Sequence, residues 1–253
     1  LLGVGLPFEV IATVSTLLRL YTRFHIVRKL GWDDLCISIA NVIISASALA
    51  VVIQWRSGIG EHVEALSDNQ VITQAKLQYW TSAFFYLSTA FLKLSVLLFY
   101  RTIFGMSKKF KLICDINIVF IAAYNIAGFL TTIFACTPVA HYWTRRLSGG
   151  VEGHCIDIQL QWYLFTSLNM VTDFSTVVLP MPMLGKLQVS KNYRFSLFIL
   201  FAISFLPCLI SIIRFWPNSY LSSPDFTYHS FNIDILAAIE STIGVICINA
   251  PNI

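Results

Sequence analysis

The sequence predicts an all-α protein, a bundle of seven transmembrane helices with an exterior or lumenal N-terminus and a cytosolic C-terminus. Three observations carry this prediction. Of 253 residues, 57% are apolar and 12% are charged, where soluble domains carry about 25% charge. Mean hydropathy is +0.72. Seven segments approach the about 20 apolar residues that a bilayer core requires. A water-soluble domain of this size has too much surface to hide so much apolar side chain.

The spans fall at about residues 4–24, 35–55, 77–104, 112–136, 160–183, 195–217 and 233–250, all within one domain covering 1–253. Up to Tyr21 the first span carries only Glu9 and Arg19. It has no basic start and its basic residue lies at its far end, so it reads as a retained helix rather than a signal segment. The second holds no charge from Leu35 to Trp55. The third holds Lys93 and Arg101, the fourth Asp115, the fifth Asp173, the sixth Arg214, and the seventh Asp234 and Glu240. Orientation follows from basic residues near the span ends. Arg23, Arg28, Lys29, Arg101, Lys108, Lys109, Lys111, Lys186, Lys191 and Arg194 share one side. Arg56, Lys76, Arg145 and Arg146 share the other, so the first side is cytosolic. The basic residues form no single patch, which argues against nucleic acid as a partner.

Cys36, Cys114, Cys208 and Cys247 lie within or at the ends of spans, where cysteine acts as a small hydrophobe. Cys136 and Cys155 both fall on the exterior side and are expected to form a disulfide in an oxidising compartment. His62, His141, His154 and His229 also fall outside. They read either as ordinary loop residues or as ligands for zinc or copper, although none has metal-ligand spacing. Gly58 and Gly60 read as the cap and turn after span two. Pro180 and Pro182 should end or kink span five, and Pro207 should bend span six.

Ionisable groups at membrane depth are costly unless they meet a partner or a cavity, so they are the candidate functional residues. Lys93 and Asp173 are placed to pair across the bundle, either as a fixed lock or as a switch. Asn169 lies one turn from Asp173 on the same face. A second set, Glu9, Arg214, Asp234 and Glu240, lies in the outer half. There the acids outnumber the base, which leaves a carboxyl group free to anchor a polar ligand or to act as a general acid.

Several separated pieces form a recognisable pattern. Arg19-x-Tyr21-x-Arg23 is followed by Gly31-Trp32-Asp33-Asp34, then by Gly58-x-Gly60-x-His62. Span three has Lys93-Leu94-Ser95 and ends Phe99-Tyr100-Arg101. Cys136-Thr137-Pro138, Trp143 and Cys155 come next. Asn169 and Asp173 lead into Leu179-Pro180-x-Pro182, and Lys191, Arg214 and Glu240 complete the set. In this the chain resembles the fungal rhodopsin-domain family of seven-span integral membrane proteins. It departs from the family at Phe201-Ala202-Ile203-Ser204, where a glycine is usual.

The resemblance implies a receptor-like protein, or a companion of fungal secondary-metabolite pathways with an enzymatic role. Retinal is not expected as a cofactor, because span seven has no lysine to form a Schiff base, and no other cofactor is predicted. The first reading is a receptor or sensor in the plasma membrane or endoplasmic reticulum. A small ligand would enter an exterior-facing cavity near Arg214, Asp234 and Glu240, and a cytosolic protein would receive the signal. The alternative is a membrane-embedded cyclase, isomerase or dehydratase acting on a lipophilic metabolite. In it Glu240 or Asp234 would serve as the acid, with His62 assisting. A transporter would be expected to show an inverted repeat, and none is visible.

Overall fold

Polar side chains inside and apolar ones outside set the architecture. The computed structural model describes residues 2–60, 66–104, 107–145, 150–184, 205–215 and 226–250. Helix α1 (Leu2–Tyr21) passes into a π-helical turn (Thr22–Val27), followed by α2 (Trp32–Arg56), α3 (Asp68–Ile103) and α4 (Lys108–Ile133). A two-residue strand β1 (Cys136–Thr137), a short helix α5 (His141–Thr144) and β2 (His154–Cys155) form the connection to α6 (Ile158–Val178). Helices α7 (Met181–Leu184), α8 (Leu206–Phe215) and α9 (Phe226–Asn249) complete the described chain. The lysines and arginine at 186, 191 and 194, most of the predicted sixth span, and His62 lie outside the described residues.

Local chemistry explains the starts and stops. The N-terminal turn of α2 holds Asp33 and Asp34, where negative charge opposes the helix dipole, and Asp34 Oδ2 accepts from the Gly31 amide at 3.0 Å. At α3, Gln70 Oε1 accepts from the Ser67 amide at 3.0 Å, one arm of a capping box. Asp157 Oδ1 caps α6 by accepting from the Leu160 amide at 3.0 Å. Gly58 and Gly60 adopt φ of 92° and 91°, backbone angles that favour glycine, as the chain leaves α2. Helix α6 stops at Val178, and the chain turns through Leu179 and Pro180 before α7. Pro207 lies in the first turn of α8 as described.

Helix α3 starts nine residues before the predicted span at 77, because 68–76 form a polar extension of the helix. The stripe Gln70, Gln74 and Gln78 recurs at helical spacing. Gln74 donates to the Gln54 carbonyl at 2.6 Å, so these turns pack against the end of α2.

Successive long helices run antiparallel. Ser45 on α2 donates to Glu9 on α1, and Tyr79 on α3 donates to the Ile133 carbonyl that ends α4. One end of the bundle therefore gathers the start of α1, the end of α2, the start of α3, the end of α4 and the start of α9. The Cys136–Cys155 disulfide, within an antiparallel β1–β2 pair, links the end of α4 to the start of α6 at this same end. Between α3 and α4, Gly128 permits close approach, since a Cβ there would sit 2.7 Å from the Tyr86 ring.

Outward faces are apolar. Val42, Leu49 and Ile53 on α2 and Ile116, Val119 and Ile126 on α4 are all exposed. Asn125, Gln74, Lys93 and Asn249 are buried. This inversion of the usual surface is what lipid contact requires. Helices α2, α3 and α4 are each long and apolar enough to cross a membrane.

The opposite end is tied by charge. Arg19 is fully buried, with Nη2 2.6 Å from Asp33 Oδ2, Nε 2.8 Å from Asp34 Oδ1, and Nη1 donating to the Ile248 carbonyl of α9. Arg23 adds a longer contact to Asp33 at 3.3 Å and is 17% exposed. Removing the buried partner strands two carboxylates, which typically costs about 3–5 kcal/mol, while a partly exposed partner contributes about 1 kcal/mol or less. Thermal melts in detergent should therefore show Arg19→Met far less stable than the wild type and Arg23→Met close to it.

Candidate functional site

The site is built on α6 and read outward. Asn169, Thr172 and Asp173 recur at i, i+3 and i+4, which places them on one helical face. Lys93 on α3 inserts its ammonium into that face. Its Nζ lies 2.9 Å from Asp173 Oδ1 and donates to Asn169 Oδ1 at 2.7 Å, Thr172 Oγ1 at 2.7 Å and Tyr124 Oη on α4 at 3.2 Å. The pairing predicted from membrane depth is thus present, and every donor of the ammonium is used.

Asn169 carries the network onward. Its amide nitrogen donates to Asp173 Oδ2 at 3.0 Å and to Glu240 Oε1 on α9 at 2.8 Å. Ser211 on α8 donates to Asp173 Oδ2 at 3.1 Å. Glu240 Oε2 faces Arg214 Nη1 at 3.2 Å, an electrostatic contact outside hydrogen-bond geometry. The Arg214 guanidinium lies 4.3 Å from the Phe85 ring centroid, a cation–π distance. Sequence reading treats Lys93 with Asp173 and Arg214 with Glu240 as separate sets. The structure joins them through one carboxamide.

Beside this network lies a cavity of about 100 Å³, between α1, α2, α3, α6, α8 and α9. Much of its wall is apolar, including Ile44, Val51 and Val52 of α2, and the small residues Ala237 and Ala238 of α9 leave it room. Trp55, Phe85 and Trp162 add aromatic surface. Its charged lining residues are Glu9, Arg214 and Asp234. Glu9 Oε1 accepts from Ser45 Oγ at 2.6 Å, and Asp234 Oδ1 accepts from Gln78 Nε2 at 3.1 Å. Both residues are 8% exposed. Among the described residues, Glu9 Oε2, Asp234 Oδ2 and Arg214 Nε have no hydrogen-bond partner.

Of the predicted site residues, Lys93, Asn169, Asp173, Arg214 and Glu240 therefore form one network. Glu9 and Asp234 line the cavity with Arg214, and Glu240 turns toward the network. Among the exterior histidines, His141 Nδ1 lies 2.6 Å from the Val151 carbonyl and His154 sits exposed in β2. The backbone of His229 belongs to α9, and its side chain is outside the described set. No three His, Cys, Asp or Glu side chains among the described residues gather to hold a metal ion. The hydroxyl of Tyr124, one of the tyrosines within the spans that could line a pocket, meets Lys93 in the network. Sequence reading missed Thr172, Ser211 and Gln78. The helical spacing of Thr172 with Asn169 and of Gln78 with Gln74 was a usable signal, whereas Ser211 depends on how the helices rotate against each other.

Comparison with known proteins adds the family context. A profile of the fungal rhodopsin domain matches residues 18–253. Satratoxin biosynthesis SC1 cluster protein 4 of Stachybotrys chartarum is 30% identical over 65% of this chain and 59% of its own length. Wortmanamides biosynthesis cluster protein C of Talaromyces wortmannii is 27% identical over 97% of this chain and 67% of its own length. Receptor GIN3 of Arthrobotrys oligospora is 22% identical over 97% of this chain and 59% of its own length. The chain thus spans about half to two thirds of the curated relatives it matches. No solved structure matches it.

A double-mutant cycle tests the Lys93–Asp173 pair. Lys93→Met strands a buried carboxylate and should lower stability by about 3–5 kcal/mol, whereas Lys93→Met with Asp173→Leu should recover most of that loss. Melting in detergent reads both. Equal destabilisation by the single and double variants would contradict the pairing.

Proposed function

The chain belongs to the fungal rhodopsin-domain family, and on that footing we propose a membrane-embedded enzyme acting on a small lipophilic intermediate of a fungal biosynthetic pathway. In this reading the chain crosses the membrane seven times, with the N-terminus exterior or lumenal and the C-terminus cytosolic, in the plasma membrane or endoplasmic reticulum. The substrate enters the cavity at the exterior ends of the helices, and Asp234 supplies the proton for an isomerisation, cyclisation or dehydration.

One observation carries the proposal. Asp234 lines a largely apolar cavity with one carboxyl oxygen held by Gln78 and the other without a partner among the described residues, while the neighbouring cation, Arg214, pairs with Glu240. Such a carboxyl group is oriented by its bonded oxygen and has the second available for proton transfer to a bound molecule. Protonation at one position and proton loss at another leave the composition unchanged, so isomerisation and cyclisation need no co-substrate. Glu9, on the facing helix, is available to take the departing proton. Glu240 is engaged by Asn169 and Arg214, so in this reading it positions Arg214 rather than reacting. The relatives named for satratoxin and wortmanamide biosynthesis support the pathway assignment.

A receptor reading has its own support in the relative named as a receptor. The cavity would then hold a signalling ligand, and the Arg214–Glu240–Asn169–Asp173–Lys93 chain would pass a helix shift toward a cytosolic protein. The two readings differ in whether the bound molecule changes covalently.

Mass-spectrometric profiles of a fungal host carrying either the wild type or Asp234→Asn separate them. The enzyme reading expects loss of one lipophilic product and accumulation of a precursor of equal mass, or one heavier by a water. Identical profiles would contradict it. Topology is checked with single cysteines placed at Lys109 and Arg145. On intact cells, if the protein is at the plasma membrane, a membrane-impermeant maleimide should label the Arg145 position and spare the Lys109 position. In sealed microsomes, if it is in the endoplasmic reticulum, the reagent should label the Lys109 position and spare the Arg145 position. Labelling of both from one side would overturn the seven-span arrangement.

A further inference from the structure

We infer that the molecule held in this cavity carries a protonated amine on an apolar skeleton, recognised by Glu9 and Asp234 together. The inference rests on the cavity being the ligand site and adds the chemical class of the ligand. It follows from charge accounting in a low-dielectric space. Deep in the bundle, Lys93 and Asp173 satisfy one another at 2.9 Å. Nearer the cavity, Arg214 faces Glu240 at 3.2 Å and rests on the Phe85 ring. Glu9 and Asp234 remain. Each comes from a different helix, each is more than nine-tenths buried, and each is held by a neutral donor, Ser45 or Gln78. Each also keeps one oxygen without a partner among the described residues. Even with Arg214 included, the acids Glu9, Asp234 and Glu240 outnumber the basic side chain they surround.

Burying carboxylates without a compensating cation is costly. A ligand ammonium supplies that charge and donates charge-assisted hydrogen bonds to the two unpartnered oxygens. The remaining wall suits a hydrocarbon skeleton, with Val51, Val52 and Ala238 offering apolar contact and Trp55 and Trp162 adding aromatic surface. A volume of about 100 Å³ is below the ~150 Å³ of a cavity that takes one benzene ring, so the enclosed part of the ligand is a compact end group. An anionic ligand would instead have to draw Arg214 from Glu240 and lie beside two carboxyl groups. One ammonium offsets one negative charge, so Glu9 binds it ionised while the Asp234 carboxyl keeps the proton that the proposed chemistry requires and accepts from the ammonium through a lone pair.

Three probes of equal chain length test this: octylammonium chloride, 1-octanol and sodium octanoate. Each is titrated at neutral pH into the purified protein in a neutral maltoside detergent, with affinity read by thermal shift and by native mass spectrometry. Octylammonium should bind at least about tenfold more tightly than octanol, as expected for a charge-assisted contact. Glu9→Gln and Asp234→Asn should each cut that preference severalfold, and Ala238→Phe, which fills the cavity, should abolish binding of every probe. If either carboxamide variant fails to fold, the ranking of the probes on the wild type, with its loss in Ala238→Phe, decides. Equal binding of octanol, or tighter binding of octanoate, overturns the amine while leaving the cavity as a ligand site. Binding that Ala238→Phe does not affect, or no binding at all, overturns both.

Discussion

The Asn169 carboxamide is the interaction on which the rest of the interior depends. Its oxygen accepts from Lys93, and its nitrogen donates to both Asp173 and Glu240. A single neutral side chain thus holds one ion pair against another across α3, α6 and α9. With Glu240 held there, Arg214 has its counterion on the network side of the cavity. Among the described residues, Asp234 and Glu9 are then left with neutral partners. The chemical character of the cavity is a consequence of what Asn169 engages elsewhere.

The same constraint, that charge among apolar helices must be matched, organises the far end of the bundle differently. There Arg19 meets Asp33 and Asp34 directly and binds the last turns of α9 through the Ile248 carbonyl. Ser95 donates to the Asp33 carbonyl and draws α3 into the same knot. Among the described residues that end is knotted by compensated charge. The other end is stapled by Cys136–Cys155 between α4 and α6 and keeps its cavity among α1, α2, α3, α6, α8 and α9.

Much of this was legible in the sequence because membrane depth makes polar residues conspicuous. Lys93, Asp173, Arg214, Asp234 and Glu240 stand out against apolar runs, and Cys136 and Cys155 fall at adjoining span ends. What could not be read was rotation. The glutamines at 70, 74 and 78 lengthen α3 beyond its apolar stretch, and whether they face inward depends on its packing against α2. In α6, residues such as Gln161, Asn169 and Asp173 dilute the apolar character, although Asn169 is buried in the bundle. Glu240 and Asp234 look equivalent along the chain. They lie six residues apart, which puts them on different faces of α9, so one enters the network and the other the cavity. Arg19 with Asp33 and Asp34 was visible only as a family signature, because their meeting depends on how the chain returns from the π-helical turn.

The proposed role of the cavity stands on Arg214 being held by Glu240 while Asp234 Oδ2 has no partner among the described residues. Its most direct test is an experimental structure of protein extracted mildly from its host membrane, at a resolution that shows side-chain rotamers. The account predicts Arg214 against Glu240 and a non-protein molecule in the cavity within hydrogen-bonding distance of Asp234. Arg214 paired instead with Asp234, across a cavity closed by side chains, would contradict it.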